Sequence, residues 1–229
     1  MPTAAVPGWR EVLADDFDGS QLDSSVWSTY NGQPGHDTGA WFASSHDSVS
    51  GGALEIQACK DPAYGGIWVT GGLAYRVGQT YGKYLVRMRR DAGVGISHAL
   101  VLWPSNQVWP PEVDFSEDNA TDQKTNYATL HYGTAGSPLD VSSHLAVDLT
   151  QWHTWGVEWT PGSIVYTLDG KTWASMVNAG VPSSPMKLCL QTQSWAPGVD
   201  GWEGVTGALT PPVVNMYVDW AVVYAYAPA

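Results

Sequence analysis

The segment Trp109-Pro-Pro-Glu-Val-Asp-Phe-Ser-Glu-Asp118 combines the apolar residues of a β-strand with three closely spaced acids, Glu112, Asp114 and Glu117. Acidic side chains within an apolar strand cost solvation free energy unless they have a use. Two carboxyl groups that face one cleft are the groups that cleave a glycosidic bond. The segment therefore predicts a glycosidase-type site, and an edge strand with solvated acids is the alternative.

The three acids can share one face of a strand only if that strand contains a β-bulge. Alternate residues share a face, so Glu112 and Asp114 point the same way and Glu117 points to the other side. One extra residue at Phe115-Ser116 resets the alternation and returns Glu117 to the face of Glu112. The two glutamate backbones would then lie ~13 Å apart, from four steps of ~3.3 Å. Side chains that lean inward would bring the carboxyl groups to roughly 5–6 Å, the separation of a retaining pair.

Length and composition limit the classes of partner. The chain has 229 residues, which we expect to form one domain over residues 1–229. Its formal net charge of −12 repels phosphate groups, so we expect neither a nucleic-acid partner nor an anionic membrane surface. Thirteen Trp and eleven Tyr, against three Phe, offer flat apolar faces with polar edges. These features favour a neutral polysaccharide as the partner.

The cysteine content and the first residues leave alternatives open for disulfide bonding and for export. Cys59 and Cys189 are compatible with one disulfide or with two buried thiols. The sequence contains no Cys and His spacing typical of a metal site, and no apolar run long enough to span a bilayer. Residues 1–7 lack the basic start and apolar centre of a signal peptide. The chain is therefore either a mature domain given a start Met or a protein exported by another route.

Short strand-like runs recur between turn residues, and no long segment has helical periodicity. Residues 164–175 predict a hairpin, because Asp169-Gly170 supplies the positive φ angles of a tight turn. Further strands are predicted at 84–89, 155–159, 187–193 and 214–224. Many strands without crossover helices predict an antiparallel sandwich or jelly roll. Residues 31–40 and 196–208 are long loops of the kind that border binding clefts.

Together these segments resemble glycoside hydrolase family 16. Residues 112–117 resemble the E-x-D-x-x-E signature of its bulged, laminarinase- and β-glucanase-like subgroup. Other segments match the family in order and spacing, at 15–27, 81–89, 99–104, 131–133, 152–162 and 217–224. One departure is Pro111, because the residue before the first catalytic glutamate is usually Gly. This difference alters the entry to the strand and leaves the subgroup, and so the substrate, open.

The resemblance implies a concanavalin-like β-jelly roll, an all-β sandwich of two curved antiparallel sheets. It also implies a secreted, endo-acting enzyme in which Glu112 is the nucleophile, Glu117 is the general acid and then the base, and Asp114 tunes both. Three neighbouring acids cannot all ionise cheaply, so at least one pKa is expected to rise. A proton retained on Glu117 suits its role. No cofactor is required for this reaction.

Aromatic residues near the acids are the first candidates for sugar contact. Trp103 and Trp109 flank the acids in sequence, and packing in the core is the alternative for both. His131 is expected to contact Asp114 or the sugar, with a purely structural role equally open. We expect the substrate to be a polysaccharide or oligosaccharide and the protein to be a monomer.

A second group of binding candidates lies towards the end of the chain. Gln191, Gln193 and Trp195 fall on one face of a predicted strand and alternate with apolar residues. This pattern indicates the floor of a cleft or, alternatively, a solvent-facing strand. Asn31 and Arg76 are further candidates, and a surface ion pair would account for Arg76 equally well.

The resemblance also implies a structural calcium ion far from the acids. Asp219 occupies the matching position, and backbone oxygens near Glu11 and Gly52 would complete the site, because calcium prefers oxygen ligands. For activity, the leading prediction is a retaining endo-hydrolase of a β-linked polysaccharide, with β-1,3 or mixed-linkage glucan favoured on family frequency. A transglycosylase, a galactan-type hydrolase and a non-catalytic carbohydrate-binding module are the alternatives. We expect an extracellular location.

Overall fold

The computed structural model describes residues 1–2, 4–35, 39–198 and 203–228. These residues form seventeen strands and two short 3-10 helices, Ser44–His46 and Pro62–Tyr64. In chain order the strands are β1 (Trp9–Asp15), β2 (Trp27–Thr29), β3 (Ala40–Phe42), β4 (Asp47–Ser50), β5 (Ala53–Asp61), β6 (Ile67–Thr70), β7 (Gly72–Tyr75), β8 (Gly82–Arg90), β9 (Ile96–Pro104), β10 (Glu112–Glu117), β11 (Thr125–Thr134), β12 (Ser137–Ala146), β13 (His153–Thr160), β14 (Ser163–Leu168), β15 (Lys171–Met176), β16 (Met186–Ser194) and β17 (Val213–Tyr226). In this described part of the chain, no helix has the length and apolar character needed to cross a membrane.

The strands form two sheets. The ten-stranded sheet has the order β15-β14-β13-β8-β17-β5-β6-β3, with β1 paired to β17 and β4 paired to β5. The seven-stranded sheet has the order β12-β11-β10-β9-β16-β7-β2. Pairing is antiparallel between β10 and each of its neighbours, and β3 and β6 form a parallel pair. This architecture confirms the predicted all-β class and the β-jelly roll.

Apolar side chains between the sheets form the core. Trp27 and Phe115 from the seven-stranded sheet, and Trp155, Trp159 and Tyr166 from the ten-stranded sheet, are at most 1% exposed. Burying one large aromatic side chain contributes about 4–6 kcal/mol before the entropy of ordering it is subtracted. Because strand residues alternate between faces, this core leaves every second residue of the seven-stranded sheet on the opposite face.

The predicted hairpin and strands are confirmed. β14 and β15 pair around Asp169 and Gly170, whose φ angles of 49° and 76° match the expected tight turn. In β16, Leu188 and Leu190 are fully buried in the core. The intervening residues of β16 therefore face outward, on the side where the acids lie.

The two cysteines do not form a disulfide. Cys59 lies in β5 and Cys189 in β16, so they belong to different sheets, and both are free thiols. Cys189 is buried, whereas Cys59 is partly exposed. Of the two predicted loops, residues 36–38 and 199–202 lie outside the described residues. The prediction of one domain over residues 1–229 stays a prediction.

Candidate active site

β10 contains the bulge that the spacing of the acids requires. Asp114 and Ser116 pair with consecutive residues of β9, so Phe115 has no partner residue there. The pairing of β10 with β11 shifts at the same place, between Asp114 and Glu117. Phe115 and Ser116 are both fully buried and point into the sandwich. The bulge therefore returns Glu117 to the face that carries Glu112, as predicted.

Specific neighbours hold the acids. The Trp109 indole N–H donates to Glu112 Oε2 at 2.8 Å. His131 Nε2 lies 3.1 Å from Asp114 Oδ2, so the predicted contact between these two residues is present. One oxygen or nitrogen atom from each of Glu112, Asp114 and His131 lies within 4.8 Å of the others. The cluster is compact enough for each carboxyl group to affect the ionisation of the next.

Burial and mutual repulsion raise the pKa values of the two glutamates. Burial raises the pKa of Glu117 well above its ordinary value, and the charges of Asp114 and Glu112 raise it further. Burial and the charge of Asp114 also raise the pKa of Glu112, but the Trp109 donor stabilises the ionised form of that group. Because Glu112 has this donor, we expect that when one of the two glutamates is protonated, the proton is on Glu117.

The third acid is balanced by a histidine. Burial raises the pKa of Asp114, while the hydrogen bond and the charge of His131 oppose that change. Burial lowers the pKa of His131, yet its hydrogen bond to Asp114 raises the pKa overall. The two groups therefore form a charge-assisted pair beside Glu112.

Glu112 and Glu117 lie on the floor of a cleft of about 510 Å³ on the outer face of the seven-stranded sheet. Its lining includes Glu112 and Glu117 together with five of the predicted binding residues, Trp103, Trp109, Gln191, Gln193 and Trp195. Of the two alternatives for each of these residues, the cleft position is the one observed. The indole N–H groups of Trp103 and Trp195 donate to the Gln107 and Ser97 side chains at 3.1 and 2.9 Å.

Comparison with known proteins gives the family. The family described as "Glycosyl hydrolases family 16" matches residues 36–222. The chain belongs to this family. In this family 16 chain the matched region includes the whole bulged strand and all cleft-lining residues except Tyr30, Pro34 and Gly35.

The relatives with names are β-glycanases and β-glucanases. The endo-1,3-1,4-beta-glycanase EglC of Rhizobium meliloti (strain 1021) is 29% identical over 249 residues, covering 94% of this chain and 51% of EglC. The beta-glucanase of Rhodothermus marinus is 27% identical over 193 residues, covering 75% of this chain and 67% of that protein. The chain thus spans about half the length of EglC, and 22% of a further relative, the endo-1,3-1,4-beta-glycanase ExsH of Rhizobium meliloti (strain 1021).

Solved structures support the fold. The laminarinase from Rhodothermus marinus superposes with a TM-score of 0.84 at 23% identity, covering 97% of this chain and 100% of that chain. The catalytic domain of an endo-1,3-beta-glucanase (laminarinase) from Thermotoga petrophila RKU-1 gives a TM-score of 0.82 at 24% identity, with 96% and 99% coverage. At these identities the likeness is one of fold.

Three predicted binding residues of this family 16 chain lie outside the cleft lining. His131 lies beside it, with its ring 5.9 Å from that of Trp109. Asn31 Oδ1 accepts a hydrogen bond from the Ser44 backbone N–H at 3.1 Å. Arg76 Nε donates to the backbone carbonyls of residues 24 and 27 at 2.7 and 3.1 Å. Asn31 and Arg76 therefore bind neighbouring backbone and are left out of the proposed site.

The calcium site expected from the family is not assembled by the three predicted residues. Glu11 of β1 pairs with Tyr224 of β17, five positions after Asp219, which is about 15 Å along the strand. Gly52 lies nearer to Asp219, because Leu54 pairs with the residue before it. The Asp219 carboxylate is bound to Arg87 Nε at 2.9 Å. The prediction was wrong in joining Glu11 to Asp219, because the register of β1 on β17 separates them.

The sequence analysis missed several residues of the cleft. Tyr30, Phe42, Gln107, Lys187 and Cys189 line it. Among the described lining residues Lys187 is the only basic one. The signal for Lys187 and Cys189 was the alternation of β16, which places them on the same face as Gln191. Tyr30 and Phe42 flank the loop 31–40 that was predicted to border a cleft, but nothing in the two residues themselves marked them, because the acids lie far from them along the chain.

Proposed function

We propose that this family 16 chain is an endo-acting β-glucanase that cleaves β-1,3 or mixed β-1,3-1,4 glucan with retention of anomeric configuration. The observation that carries the proposal is the bulge in β10, which brings Glu112 and Glu117 into one cleft. The endo-1,3-1,4-beta-glycanases EglC and ExsH support the linkage, and the beta-glucanase of Rhodothermus marinus supports a glucan as substrate. An extracellular location and a monomeric state remain predictions.

The first chemical step uses the two glutamates in different protonation states. Glu112, whose charge is stabilised by the Trp109 N–H, attacks the anomeric carbon and forms a covalent ester. Glu117 donates its proton to the glycosidic oxygen, which leaves with the electron pair of the broken bond. Asp114 orients Glu112, and the contact with His131 stabilises the negative charge of Asp114.

The second step reverses the roles. Glu117, now ionised, takes a proton from water as the water oxygen attacks the anomeric carbon and releases Glu112. Two displacements at one carbon give net retention. The carboxyl groups of the chain provide all of this chemistry, so the proposed reaction needs no cofactor.

Aromatic rings and amides of the cleft fit a sugar chain. Trp103, Trp109 and Trp195 present faces that can stack on the apolar C–H surface of sugar rings. Gln191 and Gln193 offer side-chain amides that both donate and accept hydrogen bonds, which matches sugar hydroxyl groups.

A panel of polysaccharides tests the proposal. We expect β-1,3-glucan or mixed-linkage β-glucan to release oligosaccharides of several lengths, with the β-anomer formed first as followed by proton NMR. Agar and carrageenan serve as galactan controls. Cleavage of the galactans alone would contradict the glucan assignment, and an α-anomer would contradict retention. Chain lengthening would indicate a transglycosylase, and binding without any cleavage would indicate a carbohydrate-binding module.

The raised pKa of Glu117 predicts the pH dependence of kcat/KM. Activity is expected to fall as pH rises through the pKa of Glu117, at a pH well above the usual glutamate value of about 4.3. Activity also falls as pH drops through the pKa of Glu112, which burial and the charge of Asp114 raise. Asp114→Asn removes a negative charge that raises the pKa of Glu117, so its alkaline limb should move to lower pH. An alkaline limb that stays in place or moves upward would contradict this assignment.

A further inference from the structure

A buried polar network lies directly behind the strand that carries Glu117. Ser116 of β10, His98 of β9 and Asn126 of β11 are fully buried on the core side of three adjacent strands. The Ser116 hydroxyl donates to Asn126 Oδ1 at 2.7 Å, and His98 Nε2 lies 2.9 Å from the same hydroxyl oxygen. The residue before Glu117 is therefore bonded to both neighbouring strands.

The residue after Glu117 is held by the same histidine and by the opposite sheet. The His98 backbone N–H donates to Asp118 Oδ1 at 2.9 Å. Arg90 of β8, in the ten-stranded sheet, forms an ion pair with the Asp118 carboxylate and donates to the backbone carbonyl of Ile96. Arg90 and Asp118 are 1% and 2% exposed. Both sequence neighbours of Glu117 are thus fixed from the core side.

These bonds favour the bulged form of β10. Without the bulge, strict alternation would place Ser116 on the cleft face and turn Glu117 away from it. It would also remove the Ser116 hydroxyl from its two partners inside the core, where an unsatisfied polar group costs about 1–3 kcal/mol. The polar network therefore favours the bulged form of β10 over a regular strand, together with the burial of Phe115 in the core.

The network also places a fixed charge near Glu117. Although burial acts to raise it, the charge of Arg90 and the bonds from His98 hold the pKa of Asp118 below its ordinary value. The resulting Asp118 carboxylate is one of the charges that favour the protonated form of Glu117. The network therefore fixes the position of Glu117 and also favours the protonated form of its carboxyl group.

We propose that Ser116, His98, Asp118 and Arg90 form a positioning network that aims Glu117 at the glycosidic oxygen. The inference rests on the proposed function. None of the four is among the residues that line the cleft, so they act on the reaction indirectly, and Glu117 lies between two of them in sequence. Removing one bond of the network should impair proton transfer while leaving Glu112 and the sugar contacts intact.

Two substrates separate proton transfer from the rest of the reaction. In a β-glucan the leaving oxygen needs a proton from Glu117. In the 2,4-dinitrophenyl β-glycoside of a β-1,3-linked glucose disaccharide, dinitrophenolate leaves with the electron pair of the broken bond and needs no proton. The Glu112 carboxylate attacks the anomeric carbon in both. The first-turnover burst of dinitrophenolate therefore reports Glu112, whereas kcat on β-glucan also reports Glu117.

Ser116→Ala is the first variant. We expect kcat on β-glucan to fall about 10- to 100-fold, within the usual contribution of general acid catalysis. The burst rate and the KM for β-glucan should change less than about threefold. The matched control is Ser194→Ala, because Ser194 is a buried serine of the same sheet whose hydroxyl has no hydrogen-bond partner among the residues that the structure describes. The control should leave both rates unchanged.

A second variant guards against misfolding. His98→Gln keeps an amide near Ser116 and loses the ring contact with Asp118, and thermal melting identifies any variant that is unfolded. If a folded variant loses activity equally on both substrates, or keeps full activity on β-glucan, the positioning role is contradicted. If the wild-type protein cleaves neither substrate, the proposed function itself fails, so the two failures are distinct.

Discussion

Replacing Glu112 by Gln is expected to lower kcat on β-glucan by on the order of 10⁴-fold. An amide has no charged oxygen to attack the anomeric carbon, so the covalent ester cannot form. Gln has nearly the same shape and can still accept the Trp109 N–H, so the cleft should keep its geometry. Reducing-end release and oligosaccharide binding, measured on the same preparation, test the two halves of this expectation.

The folded state should not suffer from this change. Burial and the charge of Asp114 disfavour an ionised Glu112, so removing the charge should leave the melting temperature unchanged or slightly higher. Glu158→Gln is the control, because Glu158 pairs with Lys83 on the ten-stranded sheet, away from the cleft. Near-normal hydrolysis by the Glu112 variant would remove the nucleophile assignment. Loss of binding would point instead to a disturbed cleft.

Replacing Arg90 by Leu is expected to lower the free energy of unfolding by about 3–5 kcal/mol. The substitution leaves the Asp118 carboxylate buried at 2% exposure without its cationic partner. It also removes a donor to the backbone carbonyl of Ile96. Urea denaturation followed by tryptophan fluorescence measures the change. A loss below about 1 kcal/mol would show that water or local rearrangement compensates the charge.

Two companion variants identify the cause of that loss. The double variant Arg90→Leu and Asp118→Leu removes both charges, so it should recover much of the stability, because a buried ion pair is often replaceable by apolar residues. Arg87→Leu breaks the pair with Asp219, whose side chains are 38% and 44% exposed. This exposed pair should contribute at most about 1 kcal/mol. A double variant as unstable as the single one would contradict the unpaired-charge explanation.

Local sequence patterns predicted the fold well because strand structure is encoded over a few residues. Alternation of apolar residues identified β13, β16 and β17, and Asp169-Gly170 identified the turn between β14 and β15. Register cannot be obtained in the same way. The calcium prediction was wrong for Glu11, because the pairing of β1 with β17 joins residues more than 200 positions apart and is not encoded locally.

The site was predicted in part for a related reason. Chemistry required a bulge between Asp114 and Glu117, and the pairing with β9 places it at Phe115. The partners that hold this bulge could not be inferred, because His98 and Arg90 are, respectively, an isolated histidine in an apolar run and one basic residue among ten. Their importance follows from the close packing of two sheets.

The sequence by itself determined which residues carry the chemistry and which faces of the strands are apolar, because residue type and alternation are local properties. Only the tertiary structure decided which tryptophans line the cleft, which residue is bulged and which buried groups surround Glu117. Those outcomes depend on hydrogen bonds and ion pairs between distant segments. Such contacts acquire defined partners only when the two sheets close on one core.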